Sequence, residues 1–260
     1  MMSKPWAVVT GASGGLGEAL ARDIVARGYN VVLAARGEAA MQQLATTLRD
    51  RHDVEVAVEA IDLSAADSAA DLCGRLTSAG IEPDVLINNA AFGMGGEMLT
   101  ADPARLRRML QLNIVTLTEL TQQIGRQMQA RGRGKILLVG SLGAYSASPL
   151  LAAYAASKAY VLSLGEALNV EMAPTVGVTV LTPGIMEMGF GAAAGFRTSE
   201  GLRRTAVPTK TVAKIGIDAL FAGKPNVVAG RMNKVIVFSS RLLSRSFVAK
   251  AFHRSARDAV

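Results

Sequence analysis

The chain has 260 residues, half of them apolar, and a mean hydropathy of +0.29, which supplies ample material for the buried core of one α/β domain. No stretch reaches the roughly 18 uninterrupted apolar residues of a membrane-spanning helix, and the single cysteine, Cys73, excludes an intrachain disulfide framework and suits a reducing compartment. The net charge of +7 is unevenly placed: Gly201–Val260 holds 12 Lys/Arg against Asp218 and Asp258, a net +10, so the first 200 residues carry −3. The start runs directly into Trp6-Ala7-Val8-Val9, without the basic, apolar and cleavage segments of a secretory signal, and the expected location is cytoplasmic.

Strand-like and helix-like segments alternate along the chain. Trp6–Thr10 and Asn30–Ala35 are apolar runs of strand length, and Val54–Ala60, Val85–Asn88, Lys135–Val139, Val176–Leu181 and Val227–Ala229 continue the series. Near-continuous Val/Ile/Leu runs are what strands covered on both faces by helices look like. Helical patterns fill the intervals: Gly15–Arg27, Glu38–Asp50, Ala65–Ala79, Pro103–Gln129, Leu151–Met172 and Thr209–Phe221. Ser64 and Asp102 stand as N-caps, the latter with Pro103 behind it, and Gly28 and Gly80 stand where helix C-caps take a left-handed residue. This alternation predicts a doubly wound Rossmann fold, a seven-stranded parallel sheet with helices on both faces and ligands beyond the carboxyl ends of the strands. Residues 1–230 read as one domain containing an irregular lid, 184–207, and residues 231–260 as a basic amphipathic extension.

The loop Thr10-Gly11-Ala12-Ser13-Gly14-Gly15-Leu16-Gly17 joins the first strand to the first helix. Its glycines do not match the usual G-x-G-x-x-G, yet they allow the same tight turn and close backbone approach, with a helix N-terminus aimed at a pyrophosphate. The second strand ends in Ala35-Arg36 with no acid before Glu38. An arginine pairs with a ribose 2′-phosphate that an acid would repel, so NADP(H) is favoured over NAD.

Tyr154 and Lys158 lie at i, i+4 inside a helical pattern, on one face and one turn apart. A cation near a phenol favours the phenolate and lowers its pKa, which suits a group that gives and takes a proton near neutral pH. Ser141 follows the strand Lys135–Val139, where a hydroxyl can bond the same substrate oxygen as the tyrosine; a loop or helix-capping serine is the competing reading.

Taken together, these motifs resemble the short-chain dehydrogenase/reductase family from about Pro5 to Gly230, in that family's order and spacing. The resemblance implies a cofactor loop at Gly11, Ser13, Gly15, Leu16 and Gly17, adenine contacts at Asp62 and Leu63, and cofactor support from Asn89 and Ala90 in Asn88-Asn89-Ala90-Ala91. It implies a relay asparagine at Asn113, a catalytic set of Ser141, Tyr154 and Lys158 with the last two also touching cofactor, and a nicotinamide turn at Pro183-Gly184. The reaction implied is hydride transfer between a nicotinamide and a carbonyl or alcohol carbon, usually in a homodimer or homotetramer. Where that family often has a threonine four residues past the glycine, this chain has Met188. Met94, Met98, Met186, Met188, Phe190 and Phe196 fall near the expected mouth, which suits a bulky apolar or lipid-like carbonyl substrate, with lid-to-body packing as the competing reading.

In the extension, Phe238, Leu242, Leu243, Phe247 and Ala251 recur at helical spacing, as do Arg241, Arg245, Lys250 and Arg254. One amphipathic basic helix over Val235–His253 is expected, docked on the body or a second subunit, lying on an anionic membrane surface, or binding acidic ligands. Nucleic acid is not expected, because the basic residues are not interleaved with aromatics. Two other classes compete with the enzyme: a catalytically idle NADPH sensor, disfavoured by the presence of a full proton-donor set, and a membrane-surface adaptor working through the tail.

Overall fold

The computed structural model describes residues 4–186 and 206–256. Seven parallel strands form one sheet in the order β3-β2-β1-β4-β5-β6-β7. They are β1 (Trp6–Thr10), β2 (Asn30–Ala35), β3 (Val56–Ala60), β4 (Pro83–Asn88), β5 (Gly134–Val139), β6 (Val176–Thr182) and β7 (Asn226–Val228). The helices are α1 (Gly15–Val25), α2 (Glu38–Arg51), α3 (Ser68–Ser78), α4 (Pro103–Leu110), α5 (Leu117–Ala130), α6 (Ala152–Glu171), α7 (Thr209–Phe221), α8 (Arg231–Leu242) and α9 (Arg245–Ala256).

The strands carry near-continuous apolar runs, as in Val31–Ala35 and Ile136–Val139, because both faces are covered. On β1, Ala7 and Val9 enter one core with Leu20 and Ile24 of α1, Met41 of α2 and Ile217 of α7. Val8, pointing the other way, enters a second core with Leu72 of α3, Leu120 and Ile124 of α5 and Val161 of α6. Two-residue alternation in the strands thus meets two helical layers. Strand order reverses between β1 and β4, the place where such sheets bind ligands.

The structure corrects the sequence reading at four places. Ser64 caps no helix: its hydroxyl donates to Asp62 Oδ1 at 2.6 Å, and α3 starts only at Ser68, behind Asp67 with φ +58°. The helix expected over Pro103–Gln129 is two helices joined by a π-helical turn, Gln111–Thr116. The expected single C-terminal helix breaks at Leu243–Ser244 into α8 and α9. Finally, the face of α8 turned to the body carries Asn233 and Val237, whereas Phe238, Leu242, Leu243 and Phe247 are exposed, so that stripe does not dock on the described body. Asp102 does cap α4, accepting from the N–H groups of Ala104 and Arg105, and Gly28 and Gly80 take positive φ as expected. Of the lid segment, Met186 and Val207 form an isolated parallel bridge; Met188, Phe190 and Phe196 lie outside the described residues.

Candidate active site

The carboxyl ends of β1, β4, β5 and β6 gather the candidate residues. Gly11 has φ +67°, and a Cβ there would stand 2.8 Å from Asn89 Nδ2 and 2.9 Å from Ala90 Cα, so only glycine fits. The close approach is held by hydrogen bonds. Thr10 Oγ1 accepts from the N–H groups of Asn89 and Ala90 at 3.0 and 2.9 Å, and Asn89 Nδ2 donates to the Thr10 and Gly11 carbonyls. Gly17 packs against the Gly11 carbonyl from the other side. By contrast, a Cβ at Gly14 or Gly15 would meet nothing within 4 Å, and the N-terminus of α1 has no side-chain cap. The loop is therefore clamped to the sheet on its inner side and open on its outer side. Leu16 is buried in the core below it, and Ser13 is exposed beside Gly37.

Arg36 is exposed at the end of β2 and makes no ion pair among the described residues, though its charge reaches Asp62. Burial pushes the Asp62 carboxyl up, but bonds from the Ser64 hydroxyl and N–H, with the charges of Arg108 and Arg36, outweigh it and hold the group below its usual range. Arg108 of α4 donates to Asp62 Oδ2 at 2.7 Å and to Ser64 Oγ at 3.0 Å. Leu63 lies in the second core, and its carbonyl accepts from Thr116 Oγ1 at 2.9 Å.

Asn113 is fully buried in the π-helical turn. Its side chain accepts from Phe92 N–H at 3.2 Å and donates to the Phe92 carbonyl and to Ser157 Oγ, which in turn donates to the Tyr154 carbonyl at 2.7 Å. The asparagine thus ties the segment after β4 to α6; none of the hydrogen bonds recorded for its side chain reaches Lys158. A π-helical turn at such a residue is a recurrent mark of functional sites.

Ser141, extended at the end of β5, accepts from Gly143 N–H at 3.2 Å, capping the short 3₁₀ turn Leu142–Tyr145, and also hydrogen-bonds the Tyr154 side chain. The serine therefore caps the turn, as its competing reading had it, and the same side chain stands against the phenol. Tyr154 and Lys158 are buried, and Lys158 Nζ donates to the Val139 carbonyl at 2.8 Å while standing 6.0 Å from the Tyr154 ring centre. The expected lowering of the tyrosine pKa is not what this arrangement gives. Burial pushes Tyr154 up to about 12, the Ser141 bond only partly opposing it, and burial pulls Lys158 down to about 8. Loss of water around both groups costs the charged forms more than a cation 6.0 Å from the ring returns.

A family model for short chain dehydrogenase matches residues 5–195. The chain belongs to the short-chain dehydrogenase family. It is similar to 11-beta-hydroxysteroid dehydrogenase A of Sesamum indicum, 33% identical over 182 residues that make up 69% of this chain and 52% of that protein. It is also similar to the very-long-chain 3-oxoacyl-CoA reductase of Yarrowia lipolytica, 36% identical over 183 residues, 65% of this chain and 47% of that protein. The chain thus spans about half the length of these curated relatives. Among solved structures, a short-chain dehydrogenase from Sphingobium yanoikuyae in complex with NADPH superposes with a TM-score of 0.79 at 26% identity, covering 86% of this chain and 87% of that one.

In this short-chain dehydrogenase chain, the residues present fit a dinucleotide. The outer side of the glycine loop is open at Gly14 and Gly15, and Arg36 and Asp62 stand at neighbouring strand ends. Pro183 and Gly184 follow β6, with the Pro183 carbonyl accepting from Leu142 N–H at 3.1 Å. Four contributors were missed at the sequence level: Thr10 as the clamp, Arg108 on Asp62, Ser157 beneath Asn113, and Asn233. Asn233 is fully buried, with Nδ2 donating to the Ala229 carbonyl at 2.5 Å and Oδ1 without a partner among the described residues. It sits where a side chain on Gly184 would go, its Cγ and Oδ1 2.7 Å from that ideal Cβ and its Nδ2 closer still. The Thr10–Asn89, Arg108–Asp62 and Asn113–Ser157 bonds and the approach of Asn233 to Gly184 each span elements that no short spacing connects. A cavity of about 210 Å³ between the segment after β4, α4 and the start of α6 is lined by Met94, Met98 and Leu106 together with the charged Glu97, Asp102 and Arg105.

Proposed function

We propose that this chain is an NADPH-dependent reductase of an apolar ketone, aldehyde or acyl-type carbonyl, with Tyr154 as its general acid. The observation that carries the reading is the trio in which part-buried Ser141 hydrogen-bonds buried Tyr154 while buried Lys158 lies one helical turn away on the Val139 carbonyl. A nicotinamide dinucleotide bound along the glycine loop supplies the hydride. The chain's own residues manage the oxygen and its proton. Tyr154, kept protonated by burial, donates to the substrate oxygen, and Ser141 orients that oxygen through a second hydrogen bond. As the phenol gives up its proton, the Lys158 charge nearby favours the phenolate. Asn113 fixes the helix that carries both residues through Ser157. Roles at Gly11, Ser13, Gly15, Gly17, Asn89, Ala90, Pro183 and Gly184 are assigned to cofactor binding, with Arg36 reading the 2′-phosphate. Leu16 and Leu63 are assigned contact through backbone only, since their side chains are in the core.

Support for the apolar substrate comes from relatives named for steroid and long-chain acyl substrates. Support for NADPH comes from Arg36 and from the NADPH-bound neighbour. We also assign the chain to the cytoplasm as a homodimer or homotetramer pairing through the π-helical turn with α5 and through α6, where Val115 and Tyr160 are exposed. The experiment is oxidation of NADPH and of NADH across a panel of ketones, aldehydes and acyl thioesters. NADPH turnover with the larger apolar carbonyls is expected; turnover with NADH alone, or only with small polar carbonyls, contradicts the reading.

A further inference from the structure

The two C-terminal helices carry a face that the rest of the molecule does not use. In α8 the buried residues are Asn233 and Val237, one turn apart; on the opposite side Val235, Phe238 and Leu242 recur at i, i+3 and i+7 and are 57%, 62% and 73% exposed. Leu243, at the break, and Phe247, in α9, are exposed as well. Arg231, Lys234 and Arg241 flank it in α8, and Arg245, Lys250 and Arg254 in α9, while the span from 231 to 256 holds no Asp or Glu. An exposed apolar stripe on one helix face, such as Val235, Phe238 and Leu242, marks an interaction site.

We propose that this face docks on the surface of an anionic lipid bilayer, with α8 and α9 lying in the interfacial plane. Charge decides the occupant. A second copy of the same face would set six cations against six more with no acid in either. An anionic bilayer offers the complementary sign, and exposed apolar side chains among cations are the composition of interfacial helices. Length decides the mode: α8 has 12 residues, about 18 Å of helix against a hydrocarbon core of about 30 Å, and no helix among the described residues is long and apolar enough to cross. The docking element also borders the active site, because α8 packs on the 3₁₀ turn behind Ser141 and its Asn233 abuts Gly184. Docking itself does not depend on the proposed reductase chemistry, although delivery of an apolar substrate from the lipid to the site does.

The test is co-sedimentation of the full chain with phosphatidylcholine vesicles, with and without phosphatidylglycerol. Two triple variants accompany the parent chain: Phe238→Ser/Leu242→Ser/Phe247→Ser and Lys234→Glu/Arg241→Glu/Arg245→Glu, all at exposed positions, with circular dichroism checking the fold. Salt-sensitive sedimentation with anionic vesicles is expected, lost in the apolar variant and weakened about a hundredfold or more by the charge variant, which removes three cations. No sedimentation of the parent chain overturns the proposal, as does sedimentation of either variant equal to that of the parent. A parent dimer dissolved by the apolar variant, with no vesicle binding, assigns the face to a second copy instead. Vesicle binding without carbonyl turnover leaves docking standing and removes only the reductase reading.

Discussion

Replacing Gly17 with alanine tests the cofactor loop through pure geometry. A methyl at Gly17 would stand 2.7 Å from both Asn89 Nδ2 and the Gly11 carbonyl carbon, and closer still to the Gly11 carbonyl oxygen. An unstrained carbon contact needs about 3.5 Å, so the loop must retreat by close to 1 Å. The obstacle is backbone, and the Asn89 amide is fixed by its bonds to the Thr10 and Gly11 carbonyls. Forced packing of this kind costs about 1–3 kcal/mol. In a chain of 260 residues that lowers Tm by roughly 2–4 °C for each kcal/mol. Misplacing a positioning loop by about 1 Å costs on the order of 100-fold in function. Titration of NADPH by its fluorescence, beside a thermal melt, is the assay. The expected result is a 10- to 100-fold weaker Kd, about 1.4–2.7 kcal/mol, with a folded variant of lower Tm. A variant that binds NADPH like the parent chain would falsify the account of the loop.

Gly74→Ala on α3 is the matching control: a Cβ there meets nothing within 4 Å, so stability should rise by up to about 1 kcal/mol with NADPH binding unchanged. A loss of stability in its melt would show that the open space is not there. Arg36→Ala should weaken NADPH far more than NADH; equal losses for the two in parallel titrations would remove the 2′-phosphate assignment. Lys158 predicts a pH dependence of stability. Its folded pKa of about 8 lies below the ordinary lysine value of 10.5, so between those values the unfolded chain binds more protons and stability rises with pH. The gain is at most about 3 kcal/mol over that window. Tyr154, pushed up to about 12, acts oppositely, lowering stability as pH climbs from about 10 to 12. Urea unfolding of the parent and Lys158→Met chains at pH 7 and pH 10 reads the first term, and a stability difference that does not change with pH contradicts it.

The fold was legible because its strands are buried on both faces, so Val31–Ala35 and Ile136–Val139 leave an unbroken apolar signature. The glycine loop and the Tyr154–Lys158 spacing were legible because their geometry is local: a positive φ, a close approach, one helical turn. What escaped depends on contacts between distant segments. Helical periodicity runs through Leu110–Leu117 without a mark, yet the backbone there widens into a π-helical turn around buried Asn113. The Asp62–Ser64 bond looked like a cap because a serine before a helical pattern usually is one, while Arg108, on a helix 46 residues further on, completes the actual arrangement. Sequence placed Lys158 near Tyr154 but not in the dry interior beside the Val139 carbonyl, and it is that interior that turns the tyrosine pKa upward. In the tail, periodicity identified amphipathic character but not which stripe faces inward; the small polar Asn233, seated against Gly184, took the inner position that large apolar residues were expected to hold.

Tyr154→Phe bears most directly on the central claim, because it removes one hydroxyl from a buried ring and leaves Lys158 on the Val139 carbonyl. With a carbonyl that the parent chain reduces, single-turnover oxidation of bound NADPH should fall by about 100-fold or more while the NADPH Kd stays within about twofold. Undiminished turnover by the folded Phe variant would contradict the assignment of Tyr154 as the proton donor.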